Sequence, residues 1–487
     1  MRKIFIAFAF LLVLATPIPV AVHAFVPVAA EAAILIDQNT GNILFAQNEH
    51  QQMFPAGLTK MLTALVVLDY LELQQVITVG TEIHSVPTGA IMSGHQVGES
   101  ITVHNLLRGL MIRNGNDSGV VLALNTIRAE RNNNNVPLVN AIQIFSDLMN
   151  EKAADLGARG TNFVNPNGLH HEQHYTTAYD LALIAQAFMQ NPVLREIAQT
   201  VEFTGHGLYG YLGNPEEHGT LVEHNWVDTN ELMSGGSFHY EYATGIRSGT
   251  TPQASDNVAA SAERDSVQLI AIVLNAPDPT RWQDARILFE YGFSTFEYFD
   301  ILQTNEYIET IFVTNAMLGG PTTLEVLASE DFTILLNQEQ LAALERTIIF
   351  YDELLATAEN MQNAYEPPYF IRLLDSDEPE ETLGLTALMA PITENTPLGR
   401  IIFTLDGETL FDGEIRAATT IEERSLDSDM DFYIALFTGA VFSADAMPFW
   451  LGAAGVLIGI IGICIAVSER RRSKRSWYGG GRRRRYD

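Results

Sequence analysis

From Met447 to Val467 the chain runs 21 residues without a charged side chain, and close behind stand Arg470, Arg471, Arg472, Lys474, Arg475 and Arg482 to Arg485. A run of that length matches one helical crossing of a bilayer, and a cluster of cations on one flank is held on the cytoplasmic side. The expected topology is single-pass in the cell membrane, with a transmembrane helix at 447–467, a basic cytoplasmic tail at 468–487 and the body outside. At the other end, Arg2 and Lys3 precede an apolar run from Ile4 to about Leu14, and Val22-His23-Ala24 has the small residues that signal cleavage reads. Residues 1–24 are therefore expected to be a signal peptide.

This placement divides the charge unevenly. Residues 25 to 446 keep 17 basic side chains against 57 acidic ones, a formal −40. Such a surface repels nucleic acid and anionic lipid, so no nucleic-acid partner is expected, and a solvated acidic exterior is the simplest reading. With 487 residues and 47% hydrophobic side chains the chain can bury more than one core. Its single cysteine, Cys464, excludes an intrachain disulfide framework and a Cys-cluster metal site.

Along the body, Ala32 to Asp37 and Ile43 to Ala46 read as strands around the turn Asn39-Thr40-Gly41-Asn42. After Pro55, the spacing of Leu58, Met61, Leu62, Leu65 and Val66 predicts a helix with one apolar face, with Thr59, Lys60 and Thr63 off it. A mostly helical stretch from Thr102 to Gln190 is interrupted at Asn132 to Asn135. Residues 242 to 275 alternate like three antiparallel strands with a turn near Arg264-Asp265, and a helix from Arg281 to Tyr291 is expected to stop at Gly292. From 296 to 420 the pattern becomes β-rich, punctuated by Asp406-Gly407, with a helix inserted from Leu341 to Met361. Acidic runs at Asp375 to Glu381 and Glu422 to Asp431 read as loops, and 421–446 as an acidic stalk leading to the membrane.

Three motifs carry chemistry. Phe54-Pro55-Ala56-Gly57-Leu58-Thr59-Lys60-Met61 resembles the Pro-Ala-Ser-x-Thr-Lys segment of the serine-type D-alanyl-D-alanine carboxypeptidases, the low-molecular-mass penicillin-binding proteins. Asn114-Gly115-Asn116-Asp117 resembles their Ser-x-Asn motif, and Thr244-Gly245-Ile246-Arg247-Ser248-Gly249-Thr250-Thr251 their Lys-Thr-Gly strand. Between these, Thr161-Asn162-Phe163, Asn167-Gly168-Leu169 and Tyr175-Thr176-Thr177-Ala178-Tyr179-Asp180 follow the family in order. The resemblance implies an α/β fold of the penicillin-binding/β-lactamase type over residues 25–295: an antiparallel sheet flanked by helices plus a helical subdomain. A smaller β-rich domain follows at 296–420. It also implies a peptidoglycan stem peptide ending in D-Ala-D-Ala as partner, and no cofactor.

In such a family a serine on the first turn of a helix attacks the peptide and a lysine one turn later takes its proton. Here Gly57 stands at the nucleophile position and Asn114 replaces the second serine, while Lys60 and Asn116 are retained. Those are the expected catalytic-motif positions; Arg247, Ser248, Gly249 and Thr250 are the expected substrate-binding ones. Arg247 preserves a cation whose planar fork suits a carboxylate. Loss of a serine nucleophile lowers turnover by roughly 10⁶. The leading reading is a wall-facing pseudoenzyme that binds peptidoglycan peptides or an envelope partner without forming an acyl-serine. An active carboxypeptidase with a displaced nucleophile and a structural envelope anchor acting through a cytoplasmic partner stay open as alternatives.

Other hydroxyls and histidines are weaker candidates. Thr59 lies about 200° round the helix from position 57, and Ser93 or Ser118 could serve only through unusual backbone placement. Asn116-Asp117-Ser118-Gly119 echoes a serine-protease string but opens a helix. His170, His171 and His174 cluster, and His206, His218, His224 and His239 follow, yet no His-Glu-x-x-His string exists and no metal is expected.

Overall fold

The computed structural model describes residues 26–209, 220–351, 369–372, 386–441 and 462–468. They form two compact units: the described residues up to Phe299 with Ile334–Gln338, and Asp300–Thr333 with the described residues from Glu339 onward.

In the first unit the strands follow as β1 (Ala32–Asp37), β2 (Ile43–Gln47), β3 (Val76–Thr78), β4 (Glu99–Thr102), β5 (Glu202–Tyr209), β6 (Thr220–Val227), β7 (Ala243–Thr251), β8 (Ser255–Arg264) and β9 (Val267–Ala276). Its helices are α1 (Thr59–Tyr70), α2 (Val103–Met111), α3 (Asn116–Glu130), α4 (Leu138–Asp155), α5 (Ala178–Gln190), α6 (Pro192–Ala198) and α7 (Thr280–Thr295). An antiparallel sheet in the order β2-β1-β9-β8-β7 divides two cores. The pleat of β1 sends Ile34 and Ile36 into the core shared with α1 to α6, and Ala33 and Leu35 into the core beneath Trp282, Leu288 and Phe289 of α7. That two-sided burial explains why β1 is apolar at successive positions rather than alternating. A second antiparallel sheet, β3-β4-β5-β6, lies in the same unit.

The β8–β9 turn places Asp265 (φ 51°) and Ser266 (φ 70°) in the left-handed region that a two-residue hairpin requires. The end expected at Gly292 is corrected, since α7 continues to Thr295. A β-carbon built on Gly292 would lie 2.6 Å from Leu269 Cδ1 and 2.9 Å from Leu35 Cδ2, so this glycine lets the helix lie close on the sheet instead of capping it. Helix α1 also differs from the one-faced pattern. Every residue from Thr59 to Val67 is buried, and its polar groups are paired inside: Thr63 Oγ1 donates to the Pro166 carbonyl at 2.8 Å.

The second unit is built on a seven-stranded sheet with the order Glu345–Phe350, Pro397–Leu405, Glu408–Ala417, Thr323–Ala328, Tyr307–Thr314, Thr386–Met389, Tyr369–Arg372. Only the Tyr307–Thr314 pairing with Thr386–Met389 is parallel among its recorded ladders. Of the helix expected from Leu341 to Met361, the described part is a short helix, Gln338–Ala343, followed by a strand, because β-branched Thr347, Ile348 and Ile349 extend to pair with Ile402, Ile401 and Arg400; its remainder at 352–361 lies outside the described residues. Asp406 (φ 51°) and Gly407 (φ 84°) turn the Pro397–Leu405 hairpin. The segment read as an acidic stalk contains a helix, Leu426–Val441, with Asp427 and Asp429 in its first turn, where carboxylates complement the unpaired N–H groups. Among the described residues no helix is long and apolar enough to cross a membrane. The signal segment 1–24, the acidic run 375–381, residues 447–461 of the expected span and the tail from 469 onward lie outside the described residues; 462–468 are helical.

Candidate functional site

The three motifs, far apart in sequence, meet at the start of α1. A 3-10 turn, Ala56–Leu58, leads into the helix and carries Ala56 at φ 49°. A β-carbon built on Gly57 would lie 3.1 Å from the Ser248 carbonyl oxygen, 3.2 Å from Asn114 Oδ1 and 3.3 Å from Gly249 Cα. On the other side of this contact, a β-carbon on Gly249 would come within 2.4 Å of the Gly57 nitrogen. Strand β7 and the Asn114 amide are thus packed onto the position where a side chain would project. Asn114 adopts φ 66°, a left-handed conformation that asparagine tolerates, and its Oδ1 is buried without a hydrogen-bond partner.

Lys60 is buried beside this turn. Its Nζ donates to Asn116 Oδ1 at 3.0 Å and to the Asn167 carbonyl at 2.7 Å. Burial and then the nearby Arg247 cation hold its pKa well below the usual lysine value, with Asp117 opposing. A lysine in that state is a proton acceptor in waiting. Asn116 is fixed in turn by donating from Nδ2 to the Ile91 carbonyl at 2.9 Å. The Asn167 carbonyl is aimed by Asn165, whose Oδ1 accepts from the backbone N–H groups of Asn167, Gly168 and Leu169.

The expected substrate-binding residues are placed less favourably. Arg247 is fully buried: Nη1 donates to the Met111 carbonyl, while Nε and Nη2 have no partner. Burial lowers its pKa to about 10, countered by Asp228, whose own pKa burial pushes up to about 6. Ser248 Oγ lies 3.3 Å from Thr229 Oγ1, and Thr250 Oγ1 is tied to Asp256 Oδ1 (2.7 Å) and Arg281 Nη1 (2.6 Å). The cation expected to face a carboxylate is therefore turned inward, onto the Met111 carbonyl and within the field of the Asp228 carboxyl.

Each alternative hydroxyl is committed elsewhere. The Val164 N–H donates to His174 Nδ1 at 3.1 Å, which leaves the His174 proton on Nε2, facing Thr59 Oγ1 at 2.9 Å. Thr59 then donates to the Ala56 carbonyl at 2.9 Å, so His174 cannot take its proton. Ser93 and Ser118 pair with one another at 2.8 Å, and both are buried. Asp117, which follows Asn116 in the motif, has a role that residue order does not give: its carboxylate accepts from the N–H groups of Ser93, Gly94 and His95 at 2.7, 2.9 and 3.1 Å and anchors the loop that holds Asn116. Position N2 of a helix after a turn was the available signal.

His174 makes stability pH-dependent. Burial, followed by the neighbouring His171, His170 and Lys60 charges, lowers its pKa to about 3 against about 6.5 unfolded. Between those values the unfolded chain binds more protons, so this contribution is complete above about 6.5 and declines on acidification. At about 1.4 kcal/mol per pH unit, moving from pH 7.5 to 5 should cost about 2 kcal/mol. Thermal unfolding against pH should be flatter for His174→Gln; parallel curves would contradict the assignment.

The family model for D-alanyl-D-alanine carboxypeptidases of the peptidase S11 type matches residues 19–278. D-alanyl-D-alanine carboxypeptidase DacF of Bacillus subtilis is 26% identical over 394 residues, covering 80% of this chain and 85% of its own. DacA of Haemophilus influenzae, a D-alanyl-D-alanine carboxypeptidase, is 24% identical over 425 residues, with 85% and 91% covered. Among solved structures, penicillin binding protein 5 from Haemophilus influenzae aligns with TM-score 0.56 at 22% identity, over 81% of this chain and 98% of that one. DacD from Francisella tularensis aligns with TM-score 0.53 at 21% identity, over 81% and 94%. At these identities the structural likeness establishes the shared penicillin-binding α/β fold.

Proposed function

The chain belongs to the D-alanyl-D-alanine carboxypeptidase family, and from that premise we propose that it is a non-acylating member, displayed on the outer face of the cell membrane. It engages peptidoglycan stem peptides or an envelope partner without hydrolysing them. The observation that carries this reading is Gly57: the 3-10 turn leading into α1 has no side chain where the family's chemistry needs a hydroxyl, and Asn114 and β7 close on that position. Lys60, desolvated and held by Asn116 and the Asn167 carbonyl, keeps the base of the reaction without its nucleophile. The apolar stretch 447–467 and the cations behind it support a single-pass anchor with the acidic body outward.

The test is direct. Full-length protein incubated with a fluorescent penicillin and then denatured should carry no covalent label, because an acyl-enzyme requires a nucleophile. Covalent label on the native chain, mapped to any residue, sinks the proposal.

A further inference from the structure

A buried cluster outside the three motifs joins the loop after Ile91 to the β5–β6 hairpin. Among the described residues it is the one group of His, Cys, Asp or Glu side chains whose ligand atoms gather for an ion: His95, Glu99 and His224, within 4.8 Å of one another. His224 Nε2 lies 2.6 Å from Glu99 Oε1, and His95 Nδ1 lies 3.6 Å from Glu99 Oε2. His95 and His224 are each 5% exposed and Glu99 is fully buried. None of the three belongs to the family motifs.

We propose that His95 Nδ1, Glu99 and His224 Nε2 form a binding site for a divalent zinc ion that clips the loop 93–99 to β6. The donor set is two imidazoles and one carboxylate, the combination zinc accepts. The second observation is an orphan: His95 Nδ1 is buried with no hydrogen-bond partner, and it faces the carboxylate at a distance too long for a hydrogen bond. The other ring nitrogen, Nε2, lies 2.9 Å from Ser118 Oγ, which pairs with Ser93 Oγ. Ser118 Oγ can accept the Nε2 proton while donating to Ser93, and that tautomer leaves the Nδ1 lone pair free to ligate an ion beside Glu99. Donor atoms around a tetrahedral zinc stand about 3.3 Å apart for bonds of about 2.0–2.1 Å. The 2.6 and 3.6 Å separations from the two Glu99 oxygens bracket that value, and all the donor atoms lie within 4.8 Å of one another, so side-chain adjustments can draw the set onto one ion.

The fold keeps the site accessible to Glu99 in one further way. Glu99 lies on β4 and His224 on β6, with β5 between them. A β-carbon built on Gly207 of β5 would sit 2.1 Å from Glu99 Oε1, so only glycine there lets the carboxylate cross β5 to reach His224. Trp226 stacks on the His224 ring (centroids 5.1 Å, 20°) and donates from Nε1 to the Ser93 carbonyl at 2.9 Å, which walls the cluster with an apolar face. Because His95 and Ser93 also give their N–H groups to Asp117, an ion here would stiffen the loop that holds Asn116.

The zinc site is independent of acylation and is tested without penicillin. Full-length protein stripped with a chelator, dialysed and titrated with zinc chloride against a chromophoric competitor should bind one equivalent per chain at a micromolar dissociation constant or below. His224→Gln and Glu99→Gln should each weaken binding at least 30-fold, whereas His171→Asn, in the exposed cluster, should leave it unchanged. X-ray absorption at the zinc edge of the native protein gives a readout that needs no variant, with imidazole scattering and nitrogen or oxygen neighbours near 2.0 Å. Absence of saturable one-equivalent binding, affinity unchanged in both ligand variants, or a sulfur neighbour from Cys464 would each overturn the site.

Discussion

Full-length protein carrying Gly57→Ser together with Asn114→Ser is expected to take up a fluorescent penicillin covalently, with an acylation rate roughly 10³-fold or more above the native chain. The magnitude follows from what a serine hydrolase loses with its nucleophile, on the order of 10⁶ in turnover. The remaining parts are in place: Lys60 is buried, its pKa is lowered, and its Nζ is held 3.0 Å from Asn116 Oδ1. Gly57→Ser alone should label more slowly than the double variant, because its β-carbon meets Asn114 Oδ1 at 3.2 Å, and replacing that amide with a hydroxyl makes room. Gel fluorescence after denaturation reads both. A double variant with native circular dichroism that stays unlabelled would show that the inward-turned Arg247 and the closure by β7, rather than the missing side chain, abolish the reaction.

Gly168→Ala is expected to be the most damaging single methyl in the first unit. Gly168 has φ 77°, and a β-carbon there would stand 1.7 Å from the Ala56 carbonyl oxygen and 2.8 Å from Thr59 Oγ1. The left-handed backbone costs an alanine about 1–2 kcal/mol. Forcing the Ala56 turn away adds a further 1–3 kcal/mol of overpacking. A loss of roughly 2–5 kcal/mol should appear as a fall in Tm on the order of 10 °C. Gly89→Ala is the control: its φ of 90° carries the same backbone penalty, but nothing lies within 4 Å of its β-carbon. Equal Tm shifts for the two variants would refute the steric argument. The displaced turn is the one that positions Gly57 and Lys60, so the same methyl should also remove any penicillin labelling gained in the double variant.

The site was legible in the chain to an uneven degree. Lys60, Asn114, Asn116 and Arg247 to Thr250 stand out in the sequence because ordered motifs place them; in the structure Asn114, Ser248 and Gly249 lie against Gly57, and Lys60 donates to Asn116. Asn165 and Asp117 were not, since an Asn or Asp that accepts backbone N–H groups looks, in sequence, like any loop polar residue. Arg247 shows the limit from the other side. Its residue type promised a carboxylate fork, but where the guanidinium points depends on Met111, Asp228 and the packing of β7, none of which local spacing encodes. Gly292 reads as a helix stop by rule, yet α7 runs through it because Leu35 and Leu269 press against that face of the helix.

The sequence by itself determined the family, the absence of a hydroxyl at position 57, the retained lysine and the division of charge between body and tail. Each is a property of residue identity and order, which folding cannot change. The tertiary structure alone decided that β7 and Asn114 close over Gly57, that Arg247 turns inward, and that His95, Glu99 and His224 converge. Those outcomes depend on which groups, distant in sequence as Arg247 and Met111 are at 136 residues apart, come to share a buried volume.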